Sequence, residues 1–252
     1  MPLPPATVDD LGLQGCLSLW ALVTAQERRL PLAPTRRRAL AALEMLRTQG
    51  VIAVPWPQAT WDANPAALET PIEGLQWQPT WDVYLPGQLR PALEEYLMAV
   101  DRDELAMVAR LRLWDDLAAA EAEGFFAQQL TKHRLPGEWS ADMSFAWRER
   151  TLTLAQWRYC GWAAVRRGAS SMQQGEDPAR VREVIYAELC QRALRLASGA
   201  WSNCALPPYH PTPGSALARG FLRLLAPLGM HYWMQTPNAD VLSTMERLAS
   251  RD

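Results

Sequence analysis

The stretch RRRALAALEMLRTQGVIAVP, residues 36–55, decides how the first part of this chain folds. It reads as a helix that stops at Gly50 and turns into a short strand. Thr35 just before it is a candidate N-cap, whose hydroxyl can accept one of the orphan backbone N–H groups of the first turn. Leu40, Leu43 and Leu46 recur on one side, and Arg37, Ala41, Glu44 and Thr48 on the other. Gly50 suits the position where left-handed backbone ends a helix. The β-branched run VIAV follows and is closed by Pro55. Arg36, Arg37 and Arg38 fill the first turn, where the helix macrodipole disfavours cations by about 0.3–1 kcal/mol each. A DNA phosphate or a guanine edge would offset that cost. These three arginines are therefore the candidate nucleic-acid-binding residues.

Upstream, Asp9 and Asp10 can cap a helix running to about Gln26, with Leu13, Cys16, Leu17, Trp20 and Val23 on one face. The segment RRLPLAP breaks it. Downstream, Pro55 to Pro86 is rich in Trp and Pro and contains an echo, WPQATWD at 56–62 and WQPTWD at 77–82. Trp81, Val83 and Leu85 alternate after Pro79–Thr80, as in a hairpin or a paired edge strand. Helix, turn, helix, strand, long connection, strand is an order that resembles a winged-helix module over about the first 85 residues. That resemblance implies that the start of the second helix touches DNA, although such a fold can equally bind protein.

From Pro91 onward the pattern is helical. Pro91 is read as the first residue of one helix, and DRDE at 101–104 as the cap of the next. That second helix is expected to present Leu105, Val108, Leu111 and Leu117, with Trp114 nearby, and to reach about Leu130. A third helix, from about Thr153 to Met172, carries Leu154, Trp157 and Gly161 on one side. Asp177 and Pro178 open a fourth, which buries Val181, Ile185 and Leu189 and ends at Gly199. The loop GAWSNCALPPYHPTPG holds four prolines in an extended path. Ser215 caps a further helix ending at Gly229, MHYWMQ is expected as a strand, and residues 236–251 form a closing amphipathic helix.

The expected fold is therefore mainly α with a small β component. It has a winged-helix-like module over residues 1–86 and a helical, bundle-like body over residues 87–252.

Composition limits the chemistry. The chain has 252 residues, 49% of them hydrophobic and 21% charged, which is the balance of a folded globular protein. The net charge is −2, so a nucleic-acid surface has to be a local patch. Lys132 is the sole lysine, and the other cationic side chains are arginines, planar forks suited to phosphate, carboxylate and aromatic faces. The sequence carries no phosphate-cradling G-x-x-x-x-G-K-[ST], no G-x-G-x-x-G, no G-x-S-x-G and no H-E-x-x-H. Cys16, Cys160, Cys190 and Cys204 are too scattered for a zinc site, so no metal or cofactor is expected. No basic and apolar leader and no spanning segment is evident, and the expectation is a reduced cytoplasmic protein without membrane contact.

Two further site readings follow. Trp56, Trp61, Trp77 and Trp81 frame the echoed segment and are candidate partner-binding residues, because exposed aromatic clusters mark interfaces. Trp20, Trp114, Trp157 and Trp162 lie on helical faces and are expected in the core. Cys204 and His210 share the proline loop, and a thiol beside a base is the one enzymatic alternative. The preferred expectation is a non-enzymatic macromolecule-binding subunit or regulator of a larger assembly, with another protein and duplex DNA as partners. The assignment of catalytic residues is none.

Overall fold

The computed structural model describes residues 7–53, 77–81, 84, 87–99, 103–138, 143–144, 146–147 and 151–249. It is mainly helical. The helices are α1 (Val8–Arg28), α2 (Arg36–Thr48), α3 (Leu89–Ala99), α4 (Glu104–His133), α5 (Leu154–Gln173), α6 (Pro178–Ala197), α7 (Ala216–Gly220), α8 (His231–Met234) and α9 (Ala239–Ala249). Strands β1 (Ile52–Ala53) and β2 (Gln78–Pro79) pair antiparallel, Ile52 opposite Pro79 and Ala53 opposite Gln78. The chain divides into two compact units. The first comprises Met1–Leu113, Thr212–Pro227 and Leu242–Asp252; the second comprises Trp114–Pro211 and Leu228–Val241. Residues 1–86 all belong to the first unit.

In the first unit α1 is the central helix. Its start is fixed by Asp10, whose carboxylate accepts the Thr7 backbone N–H at 3.1 Å and the Thr7 hydroxyl at 3.0 Å. Gly12 interrupts it with φ +71°, a backbone conformation that glycine adopts without strain. From Gly15 to Leu22 every residue is buried, so the helix is wrapped on all sides and not along a single stripe. Helices α2, α3 and α7 pack around it. Gly220 makes the closest approach: a Cβ there would lie 2.6 Å from the Trp20 ring and 2.9 Å from Leu17. The opposite edge of the same indole donates Nε1–H to Glu94 at 2.9 Å. The segment leading into α7 returns to the α1–α2 connection, where Ala216 N–H meets Pro31 O at 2.8 Å and Leu217 N–H meets Leu32 O at 3.0 Å.

Helix α2 forms as its sequence predicts. The Thr35 hydroxyl accepts the Arg38 N–H at 3.3 Å, and Ala39, Leu40, Ala42, Leu43 and Leu46 are buried. Gly50 closes it with φ +74° and hands the chain to β1. The described second strand, Gln78–Pro79, falls at the Pro79–Thr80 break itself. Pro79 has no N–H to offer, and the pairing is completed by Thr80, whose N–H reaches Val51 O at 3.0 Å and whose hydroxyl reaches Gly50 O at 2.5 Å. Val83, Leu85 and the stretch 54–76, with Trp56 and Trp61, lie outside the described residues.

Four sequence expectations are overturned further along. Helix α3 begins at Leu89, so Pro91 sits within the first turn, where its missing N–H costs nothing. Asp103 caps α4 by accepting the Ala106 N–H at 2.7 Å. The buried stripe of that helix then runs through Arg110, Leu113, Trp114 and Leu117, while Leu105 is 80% exposed and Val108 is also exposed. The cause is Arg110, whose guanidinium is buried in an ion pair with Glu246 of α9 and also donates to Leu225 O at 3.3 Å. The helix from Ser215 ends early. After Gly220 it widens into a π turn, Phe221–Leu225, closed by Ala226 N–H to Phe221 O at 2.9 Å. MHYWMQ contains α8 and not a strand: among the described residues no strand stands beside it, and it buries Tyr232 and Trp233 as a helical turn.

The second unit is built on α5 and α6 packed antiparallel, with the Trp114–His133 part of α4 and α8 beside them. Thr153 and Gln156 form a reciprocal capping box at the start of α5. Asp177 caps α6 by accepting the N–H groups of Ala179 at 2.9 Å and Arg180 at 3.1 Å, with Pro178 at the first position. Gly168 lets α5 close on α6, since a Cβ there would come within 2.3 Å of Ile185. Trp114 and Trp157 are core residues, as expected, and Trp147 stacks on Trp157 at 5.5 Å while donating to Asp115 at 3.0 Å.

Candidate functional site

At the start of α2, Arg36 and Arg37 are exposed and Arg38 is half-buried. Because the opposite face carries the helix's buried alanines and leucines, the arginines point outward. Ala41 and Thr48 continue the exposed face. Between them Glu44 and Arg47 join in a two-point ion pair at 2.8 and 3.0 Å, which offsets their charges locally. The exposed cationic side chains of this face are therefore concentrated in the first turn, at Arg36 and Arg37.

The tryptophan echo is divided. Trp81 is only 4% exposed and meets Tyr84 edge-on at 5.3 Å between ring centroids. Trp77 is half-buried and leaves part of its side chain at the surface. Of the described pair, Trp77 alone offers an aromatic surface.

The proline loop does not assemble a nucleophile and a base. Cys204 is half-buried and shares a hydrogen bond with the Tyr159 hydroxyl. His210 is exposed, and its ring contact is with Tyr209, edge-on at 4.7 Å. No hydrogen bond joins Cys204 to His210. The loop is held by backbone anchors instead: Leu206 N–H to Ala155 O at 2.8 Å and Trp233 Nε1–H to Pro211 O at 2.7 Å.

Nothing in the sequence pattern points to the half-buried polar centre of the second unit. Glu121 of α4 has one carboxylate oxygen sealed from solvent without a hydrogen-bond partner among the described residues, and Arg158 of α5 has a sealed Nε in the same condition. Burial pushes the Glu121 carboxyl up to about 7 against the opposing influence of Arg158. Burial likewise lowers the Arg158 pKa, with Glu121 opposing. The guanidinium lies over Phe125 at 4.4 Å and over Trp233 at 5.2 Å, and the phenol of Tyr232, raised by its own burial, feels the charge of Glu121. Glu121 and Phe125 are one helical turn apart, a spacing visible in the sequence; the arrival of Arg158 and Tyr232 is not.

An open cavity of about 570 Å³ lies elsewhere in this unit. Phe126, Met143 and Ile185 supply apolar wall, and Arg182, Glu138 and Tyr186 supply polar groups of mixed sign. Among the described residues no group of three or more His, Cys, Asp or Glu side chains could hold a metal ion, and no described helix is long and apolar enough to cross a membrane. Comparison with protein-family models, with curated proteins and with solved structures gives no match for this chain.

Proposed function

We propose that this protein is a non-enzymatic, macromolecule-binding subunit or regulator of a larger cytoplasmic assembly, and that its first unit contacts duplex DNA in the manner of a winged helix. The observation that carries this reading is the first turn of α2. Two exposed arginines and a half-buried third stand at the positive end of a helix whose other face is core, and an antiparallel strand pair follows that helix directly. Cations at that end are disfavoured by the helix and favoured by a phosphate partner. Trp77, and with it the echoed segment, would then serve contacts to a protein partner.

The test is duplex binding by the full chain, followed by fluorescence anisotropy across a salt series. Replacing Arg36, Arg37 and Arg38 together by Ala should weaken duplex binding and flatten the log–log salt slope by about 0.9 for each lost phosphate contact. The melting temperature should stay unchanged or rise slightly, because the macrodipole repulsion is relieved. Absence of duplex binding by the wild-type chain at low salt would sink the reading.

A further inference from the structure

The second unit carries a continuous file of guanidinium and aromatic groups along α5, α6 and the residues that follow α6. Arg166 lies over the Trp162 ring at 5.0 Å, and Trp162 is 6.2 Å from Tyr159. Tyr159 takes Arg192 over its ring at 5.7 Å and accepts a hydrogen bond from it at 3.0 Å. Arg192 also lies 5.4 Å from the Trp201 ring, over which Arg195 is placed at 5.1 Å. Six side chains thus form a continuous ribbon. The antiparallel register brings Tyr159 level with Arg192, so Arg166 and Arg195 stand roughly ten residues apart along the helix axis, or about 15 Å at 1.5 Å per residue.

Charge on this ribbon is unbalanced. Arg192 is neutralised by Glu188 at 2.6 Å. Arg166 and Arg195 are exposed and have no ion pair among the described residues. A guanidinium resting on a ring is held in plane and keeps its N–H edge free, so little further ordering is needed to grip an oxyanion. The aromatic members Tyr159, Trp162 and Trp201 are half-buried, leaving part of each side chain accessible between the cations.

We propose that this ribbon is a binding track for a single-stranded nucleic acid, with phosphates at Arg166 and Arg195 and bases against the accessible aromatic surfaces. A single strand offers phosphates and unstacked base faces side by side, which matches a row of cations and rings. A duplex hides its base faces, and an acidic peptide supplies carboxylates without the flat partners. The proposal uses residues of the second unit alone and does not depend on the reading of α2.

The experiment is anisotropy of a labelled 15-nucleotide oligo-dT with the full chain at low salt, for wild type, Arg166→Ala/Arg195→Ala and the α2 triple-alanine variant. Both arginines of the pair are exposed and cap nothing, so melting curves should be unchanged. The double variant should bind the single strand at least ten-fold more weakly, with a salt slope lower by about 1.4, about 0.7 for each of two lost phosphate contacts. Its binding of duplex should be unaltered, and the α2 variant should keep its affinity for the single strand. Equal single-strand binding by wild type and the double variant would overturn the proposal. So would displacement of the oligonucleotide by poly-glutamate at equal charge concentration, which would assign the ribbon to an acidic protein.

Discussion

Glu121 and Arg158 are half-buried neighbours of opposite charge that do not close into an ion pair. Each keeps a sealed polar atom without a hydrogen-bond partner among the described residues. Desolvation acts on both, and it outweighs their attraction: the carboxyl is raised and the guanidinium lowered. A buried charge that is not fully paired and hydrogen-bonded is a source of instability.

A pH dependence follows from Glu121. Burial pushes its carboxyl up to about 7 in the folded chain, from an ordinary value of 4.5. Between those values the folded state holds a proton that the unfolded state has released. The contribution of this group is therefore fully present below about 4.5, falls as pH rises towards 7, and is lost above it. Urea unfolding at pH 5 and pH 8 should differ more in wild type than in Glu121→Gln, the isostere of the neutral acid. An identical pH dependence in the two proteins would contradict the assignment.

Arg110 and Glu246 behave differently, because here the pair is made. Glu246→Ala should destabilise the protein by about 3–5 kcal/mol, leaving a buried guanidinium uncompensated. Arg110→Met combined with Glu246→Leu should recover most of that loss. Denaturation midpoints of the three variants decide it, and a single-variant loss below about 1 kcal/mol would mean that the pair is well solvated.

Gly220→Ala should cost about 1–3 kcal/mol, because the added methyl meets the rigid Trp20 ring and Leu17 rather than a flexible chain end. Gly214→Ala is the control, since nothing lies within 4 Å of a Cβ at that position. Similar melting shifts for the two would show that the α1–α7 approach is not tight.

The tryptophans separate by burial. Trp81→Ala should lower stability by about 3–5 kcal/mol, the usual cost of emptying a large aromatic site. Trp77→Ala, half-buried, should cost distinctly less while weakening the binding of a protein partner. Thermal melts set beside affinity capture from cell extract would test the pair, and a reversed order of stability would refute the burial assignment.

Thiol reactivity should follow exposure. Cys16 and Cys160 are buried, and burial pushes the Cys16 thiol up to about 12, so neither should react with iodoacetamide in the folded state. Cys190 and Cys204 are half-exposed and should label slowly and at similar rates. A much faster Cys204 would revive the enzymatic reading of the proline loop.

Local signals in the sequence were legible because their physics is local. Thr35, Gly50, Asp177 and Pro178 each act within a few residues, and each stands where its type predicts. The α4 stripe was misread because an arginine in a core position is not recognisable until its carboxylate, 136 positions away, is known. MHYWMQ was misread because its aromatic content suits a strand, and only the fold shows Tyr232 and Trp233 buried on a helical turn. The α5–α6 ribbon was half legible: Tyr159, Trp162 and Arg166 have helical spacing, but Arg192 and Trp201 join them only through antiparallel packing. Trp162, expected in the core, is half-buried for this reason.

The first unit is made of three separated chain segments, and this sets an order on its synthesis. Residues 1–113 leave the ribosome without α7, which fills the space beside Trp20, and without Glu246. For most of translation the nascent chain therefore exposes apolar side chains of α1 and an unneutralised Arg110, surfaces of the kind that chaperones capture. Closure waits for segments made more than a hundred residues later. A ribosome stalled before residue 242 should hold this unit in a protease-sensitive state, while α5 and α6, adjacent in sequence, can already have paired.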